Sequence, residues 1–282
     1  MKYRLTLAQK CGRFGGYCCT MLLCLFTLFP FFWILSCSFK NKLEIMTTNP
    51  TFIPENPTFE NYINAVQQND ILRYLANSLI ITIAVVLLTV LIGALASYAI
   101  SFMETPSTRS FQRILVAVQM LPLVISLVPL FVIFSRLHLM NTRIGIVLAY
   151  TASTWGLPVA IILLQGYFTE IPKALIEAAR LDGCSTMRIF SHVILPLSMP
   201  GLVSTGINIF LNSWQEFTLA VNLISDKAMY TLPVGLTNFI GMHGTDWGGL
   251  MATSVVIALP SIVLFVGVQK YFIDGMTGSV KE

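Results

Sequence analysis

Six apolar stretches, each longer than twenty residues, divide this chain at about 15–38, 75–101, 114–135, 144–168, 200–224 and 250–272. Runs of this length match the roughly 20 residues that an α-helix needs to cross a bilayer, whereas a membrane β-barrel would show shorter segments of alternating polarity. The pattern predicts an all-α membrane protein with six transmembrane helices, in which residues 1–282 form a single transmembrane domain. Between the fourth and fifth stretches, at about 169–199, the apolar pattern gives way to charges, with EAARLDG from Glu177 to Gly183 at its centre. A charged segment stranded between spans has to meet water or protein, so it is a candidate docking surface for a soluble partner.

Local chemistry shapes that loop. Pro172 fits the first position of a helix, where its missing amide hydrogen would be unpaired anyway, and the helix is expected to run to about Asp182. Gly183 can take the left-handed conformation that ends a helix, and Ser185 or Thr186 can cap a second one reaching about Val193. Lys173, Glu177 and Arg180 share a face of the first helix. Ala178 and Ala179 leave the surface beside Glu177 shallow, so that an arginine from a partner can reach the carboxylate. A plain solvated amphipathic helix is the alternative.

The spans carry signals of their own. Gly93, Ala94, Ala96 and Ser97 in the second are small enough to let a neighbouring helix approach closely. Pro122 and Pro129 in the third each remove a backbone hydrogen bond, so that span is expected to be kinked or broken, either as the wall of a pathway or as a device of packing. In the fifth, Ser204, Asn208, Asn212 and Gln215 follow i, i+4, i+8, i+11 spacing and share one face, with Glu216 beside them. Each amide alone is accounted for by hydrogen bonding between helices, but the stripe as a whole favours a hydrophilic path. The first outer segment, residues 39–74, is rich in Pro and Asn and reads as an extended loop with a short helix near Phe59 to Val66.

Composition agrees with the membrane assignment: 55% of residues are hydrophobic and 11% charged, more apolar than any soluble core of this size needs. With the amino terminus inside, eleven of the seventeen Lys and Arg residues fall on the inner side, which predicts cytoplasmic amino and carboxyl termini and a cytoplasmic 169–199 loop. The net charge of +4 is thereby explained by topology, and no basic stripe or aromatic platform suggests nucleic acid. Five of the six cysteines lie in or beside the first span without metal-ligand spacing. His243 beside Asp246 supplies too few ligands for a metal site. The segment Ile34 to Cys37 resembles a lipoprotein cleavage box, but the apolar run before it is too long for a signal-peptide core, so the first span is expected to be retained. No catalytic motif, cofactor site or G-x-x-x-x-G-K-[ST] phosphate loop is present.

The order E-A-A-x-x-x-G, nine intervening residues, then I-x-L-P is met here by Glu177, Ala178, Ala179 and Gly183 followed by Val193, Ile194, Leu195 and Pro196, with Val193 in place of isoleucine. It resembles the signature of transmembrane subunits of ATP-binding-cassette importers. Further along, Asn61 and Tyr62, the MLPLVISLVPLF run from Met120, Asn141 and Thr142, Ser213 to Phe217, Tyr230 to Leu236 and the tail from Asp274 look like the second permease subunit of carbohydrate importers, the family that includes the maltose transporter. Gln215, Ser279 and Glu282 depart from that family's usual residues.

The resemblance implies a type I importer permease, a multi-pass protein of the bacterial inner membrane forming half of the translocation pathway for a carbohydrate. It implies a second permease subunit, a dimer of cytoplasmic ATPases, an extracytoplasmic solute-binding protein and surrounding lipid as partners. Under it, Glu177, Ala178, Ala179, Asp182, Gly183, Leu195 and Pro196 couple to the ATPase, and the loop at about 225–249, with Asp226, His243, Asp246 and Trp247, meets the binding protein. Ser204, Asn208, Asn212, Gln215 and Glu216 line the pathway. The chain itself is not expected to be an enzyme. The competing expectation is an ion-coupled secondary transporter, which calls for related halves and an ionisable residue near mid-membrane.

Overall fold

In the computed structural model the backbone is described for residues 7–103, 105–241 and 244–277, and side chains for 15–103, 105–241 and 244–268. The elements in chain order are helices α1 (Leu7–Ser38), α2 (Lys42–Ile45), α3 (Glu60–Asn69), α4 (Ile71–Phe102), α5 (Pro106–Gln119), α6 (Leu123–Arg136), α7 (Arg143–Ala152), α8 (Leu157–Thr169), α9 (Lys173–Leu181) and α10 (Thr186–Ile189). A π-helical turn, Phe190–Ile194, leads into α11 (Leu195–Leu197), α12 (Met199–Trp214), α13 (Thr218–Leu223), α14 (Leu232–Gly235) and α15 (Trp247–Thr277). A two-residue antiparallel pair joins Ile240–Gly241 to Gly244–Thr245. The chain divides into two compact units, residues 1–71 with 236–258 and residues 72–235 with 259–282.

Among the described residues three helices are long and apolar enough to cross a membrane, Gly15–Ser38, Ile71–Phe102 and Trp247–Val268, and three bent helix pairs can each form a further span, the last of them Thr186–Leu197 with Met199–Trp214, bent by 78°. The third span breaks by 105° between Gln119 and Leu123, where Pro122 starts a new helix; Pro129 is absorbed inside α6 without a break. The fourth span, expected as one helix over 144–168, is instead bent by 51° between Ala152 and Leu157. There the Ser153 hydroxyl turns back to the Tyr150 carbonyl at 2.6 Å, offering the backbone an alternative to helical pairing. The fifth, expected over 200–224, is helical as α12 only to Trp214 and resumes as α13.

In the first unit the pair Asn61–Tyr62 ties α3 to the end of α1. The Asn61 amide donates to the carbonyls of Ser38 (2.9 Å) and Lys40 (2.7 Å), and the Tyr62 hydroxyl meets Ser38 Oγ at 2.8 Å. Gly248 is glycine for a steric reason, since a Cβ there would run into the Asn61 amide. On α2, Glu44 Oε1 accepts from Thr51 Oγ1 (2.7 Å) and the Glu55 amide (3.0 Å), bonds that hold its carboxyl below the usual carboxylate range.

The second unit has its core where α4, α7, α8, α12 and α13 meet, around Ile81, Val85, Tyr150, Ala160, Ile209 and Leu219. The small residues of α4 act as expected: a Cβ on Gly93 would stand 3.1 Å from Ala160 Cβ, and Ser97 donates to the Ile161 carbonyl at 2.8 Å.

Candidate functional site

The loop between the fourth and fifth spans is a helix, a tight turn and a second helix, held by one face. Ile176 points inward and is buried with Ala94 and Tyr98 of α4, Leu164 and Phe168 of α8, and Ile189, Phe190 and Ile194 beyond the turn. Tyr98 also donates to the Thr186 carbonyl at 3.3 Å and packs, with its ring tilted to both, between Phe102 and Phe190, with ring centroids 5.4 and 5.3 Å away. A rigid apolar contact therefore joins the loop to two membrane helices. Pro172 stands one position earlier than expected, as the residue capping α9, with ψ at 125°, because its extended backbone continues the turn from Ile171.

Gly183 has φ +79°. Its amide donates to the Arg180 carbonyl and the Cys184 amide to the Ala179 carbonyl, both at 3.0 Å. This is the Schellman arrangement, which satisfies the last carbonyls of α9 and needs a left-handed residue at its corner. Ser185 precedes the second helix in extended conformation but makes no capping bond with its side chain, contrary to expectation. That helix does not stop at Val193. It continues through the π turn to Leu197, because Pro196 lacks the amide hydrogen for a regular α-helical bond and the wider turn accommodates it.

Glu177, Ala178, Asp182, Gly183 and Pro196 are exposed, while Ala179 and Leu195 are half-buried against the apolar cluster. Glu177 lies at the rim of a hollow of about 210 Å³ lined by Lys173, Ile176 and Arg180 of α9 and by Ser101 and Phe102 of α4. The Ser101 hydroxyl is buried without a partner. Ser101 and Phe102 were invisible to sequence reasoning, since they lie more than seventy positions before Glu177 and carry no motif. Leu181 is 90% exposed, with Leu175 and Met187 also in the open. Here a signal was legible: large apolar residues next to charges on a short loop helix are costly in water unless something covers them.

The stripe on α12 divides. Asn208, Asn212 and Gln215 are exposed, and the Asn212 amide donates to the Asn208 backbone carbonyl at 2.8 Å and its side-chain oxygen at 3.2 Å. Ser204, half-buried, donates to the Tyr167 hydroxyl at 3.1 Å. Glu216 leaves the stripe. It is turned into the protein, and its two oxygens accept from the Leu219 amide (2.7 Å) and the Ala220 amide (3.0 Å), capping α13. An acidic residue just ahead of a short helix is the signal that identifies this role.

Of the expected outer loop, residues 225–235 are stapled within the second unit. Asn77, buried on α4, donates to the Ala228 (2.9 Å) and Tyr230 (3.0 Å) carbonyls and accepts from Arg143 at 3.0 Å. Asn141 Oδ1 accepts from the amides of Ser225 and Asp226, the latter at 3.0 Å, and Ser78 accepts from the Leu232 amide at 2.7 Å. Asn77→Ala leaves two carbonyls and a guanidinium short of partners and is expected to cost about 2 kcal/mol. Faster amide hydrogen exchange in residues 225–235 than in α12 is the measurement that checks it. In the first unit, Asp246 Oδ1 caps the start of α15 through the Gly249 amide at 3.2 Å, and Trp247 is exposed. His243 lies outside the described residues.

Comparison with known proteins follows the same outline. Residues 90–278 match the family described as binding-protein-dependent transport system inner membrane component. The chain is 33% identical over 255 residues to the diacetylchitobiose uptake system permease protein DasC of Streptomyces coelicolor, covering 90% of this chain and 92% of that one. It is 34% identical over 270 residues to the trehalose/maltose transport system permease protein MalG of Thermococcus litoralis, covering 93% and 94%. Its fold matches a chain in the crystal structure of a bacterial transporter that imports alginate, with a TM-score of 0.84 at 21% identity, over 96% of this chain and 100% of that chain.

Proposed function

This chain belongs to the family of inner-membrane components of binding-protein-dependent transport systems, and from that premise we propose that it is one permease subunit of an ATP-binding-cassette importer for a carbohydrate. The family is one of transport permeases, not of enzymes. Residues 1–282 then act as one permease domain, paired with a second permease subunit, and ATP is hydrolysed by a separate cytoplasmic ATPase dimer. An extracytoplasmic binding protein delivers the solute. Relatives named for diacetylchitobiose and for trehalose and maltose support the substrate class. The excess of basic residues on one side supports cytoplasmic termini.

The observation that carries the coupling assignment is the two-faced packing of α9. Its inner side, Ile176, is locked into the cluster shared with α4 and α8, while Glu177 stands exposed at the rim of the hollow. Leu181 and Met187 offer apolar area for the ATPase, and a guanidinium from it gives Glu177 a charge-assisted hydrogen bond. Closure of the ATPase dimer on ATP then moves α9 as a rigid lever, and the Ile176 cluster passes the movement to the membrane helices. On the pathway side we assign Asn208, Asn212 and Gln215, whose exposed amides hold donors and acceptors for a hydroxylated solute. Glu216 acts by holding α13.

The complete importer, reconstituted in proteoliposomes with its ATPase and binding protein, is expected to take up labelled sugar only with internal ATP and added binding protein. Uptake should persist when a protonophore collapses the proton gradient. Loss of uptake with ATP still present would favour an ion-coupled transporter and overturn the proposal.

A further inference from the structure

The segment between α2 and α3 carries no charge over residues 46–54 and folds back onto the carboxyl end of α1. The Ser36 hydroxyl donates to the Phe52 carbonyl at 2.6 Å, so the backbone of the segment stands level with the last turn of α1. The Phe52 ring reaches from there down the helix, its centroid 6.0 Å from that of Trp33 and 6.4 Å from that of Phe29. At about 1.5 Å of rise per residue, Phe29 lies about 10 Å below Ser36 along the axis. Phe29 belongs to the apolar span Gly15–Ser38 and is exposed, so whatever packs on its outer side shares its depth in the membrane. The helix end itself is closed: Ser36, Cys37 and Ser38 are buried, Ser36 against the Phe52 carbonyl and Ser38 against the Tyr62 hydroxyl. The open surface at this level belongs instead to the folded-back segment, where Phe52 is 59% and Ile53 73% exposed.

Backbone that enters a membrane has to satisfy its polar groups without water. Here the Thr51 carbonyl accepts from Lys40 Nζ and the Phe52 carbonyl from Ser36, while Pro50 and Pro54 have no N–H to satisfy. The polar residues of the same stretch sort elsewhere. Thr47, Asn49, Thr51 and Glu55 line a hollow of about 360 Å³ with Asn41, and neither Phe52 nor Ile53 takes part in it. Protein interfaces carry about one hydrogen bond per 100–200 Å² of contact. With two carbonyls already turned to its own chain and a proline on either side, the tip offers a protein partner little but apolar side chains. Acyl chains require nothing else.

We propose that residues 50–54 form a membrane-interface anchor, with their backbone in the headgroup layer and Phe52 and Ile53 among the phospholipid chains of the leaflet in which α1 ends. The contact is with the lipid surface and selects no headgroup. It pins the carboxyl end of α1 together with α3, which Asn61 and Tyr62 tie to that end. It rests on the membrane assignment of Gly15–Ser38 and is independent of which solute the protein imports.

The complete importer in dioleoyl phosphatidylcholine liposomes, carrying photoreactive p-benzoylphenylalanine in place of Ile53 or of Asn49, tests the anchor by crosslinking and mass spectrometry. Both residues are exposed in the same segment, so neither replacement endangers folding, and Phe52, which supports the ring cluster, stays in place. The replacement of Ile53 is expected to give about ten times more phospholipid adduct than that of Asn49, the ratio that burial of one such apolar side chain implies. An adduct from the Ile53 position to the second permease subunit or to the binding protein, in place of lipid, would overturn the proposal and make the tip a protein contact. Equal phospholipid yields at the two positions, or none at either, would overturn it as well. Sugar uptake by the same liposomes reports separately on the importer assignment, so the two can fail independently.

Discussion

Glu177→Ala is expected to abolish ATP-driven uptake while the chain still inserts and folds, because the carboxylate is exposed and supports no contact of the apolar cluster. Removing one partner of a charge pair that becomes buried on docking weakens association by about a hundredfold. Co-purification of the ATPase with the variant measures that loss directly, and vesicle uptake measures its consequence. Gly183→Asp should act at the same place by another route. A Cβ at Gly183 meets nothing within 4 Å, so space is not the obstacle. The cost lies in the left-handed backbone at φ +79° and in a second carboxylate beside Asp182. Gly183→Ala isolates the backbone part, about 1 kcal/mol, and should retain more of the ATPase than Gly183→Asp does. Normal uptake with a stably bound ATPase in both Glu177→Ala and Gly183→Asp would remove the docking assignment.

Gly156→Ala should be strongly destabilising. Gly156 has φ −83° and ψ −113°, outside the regions open to residues with a Cβ. A Cβ there would run onto the Tyr150 carbonyl and stand 2.5 Å from the Thr151 oxygen. Both obstacles are backbone atoms, and Tyr150 is anchored at 1% exposure, so neither can turn aside as a side-chain tip would. The break between α7 and α8 would have to open, at a cost of about 3 kcal/mol or more. Thermal unfolding of the purified protein in detergent checks this against Gly166→Ala, a glycine of α8 with open space around it. The latter is expected to change stability by no more than about 1 kcal/mol, favourably if helix propensity dominates. Equal losses in the two variants would show that the carbonyl contacts do not set the cost.

Much of the architecture was legible because bilayer physics acts on local composition. A run such as 75–101 needs only its own length and apolarity to become α4, and the small residues Gly93 and Ser97 announced the close approach that Ala160 and Ile161 complete. The turn at Gly183 was equally local, since one residue free to adopt positive φ ends a helix whatever surrounds it. The break at Gly156 escaped notice because it depends on where the Tyr150 and Thr151 carbonyls arrive after the chain bends, which no propensity encodes. Glu216 takes its place for a related reason. Its spacing placed it beside the amide stripe, but the α13 amides within reach turned it inward.

By itself, then, the sequence determined that the chain crosses a membrane, roughly where, and that a charged two-helix loop with Glu177 and Gly183 interrupts the crossings, because length, apolarity and turn chemistry act over a few neighbouring residues. Only the tertiary structure decided that Ser101 and Phe102 complete the hollow beside Glu177, that Ile176 fastens the loop to α4 and α8, and that Phe52 folds back onto Phe29 and Trp33. Those arrangements join residues tens to hundreds of positions apart. They come from packing of whole helices, in which the shape of every neighbour matters and no local pattern records the outcome.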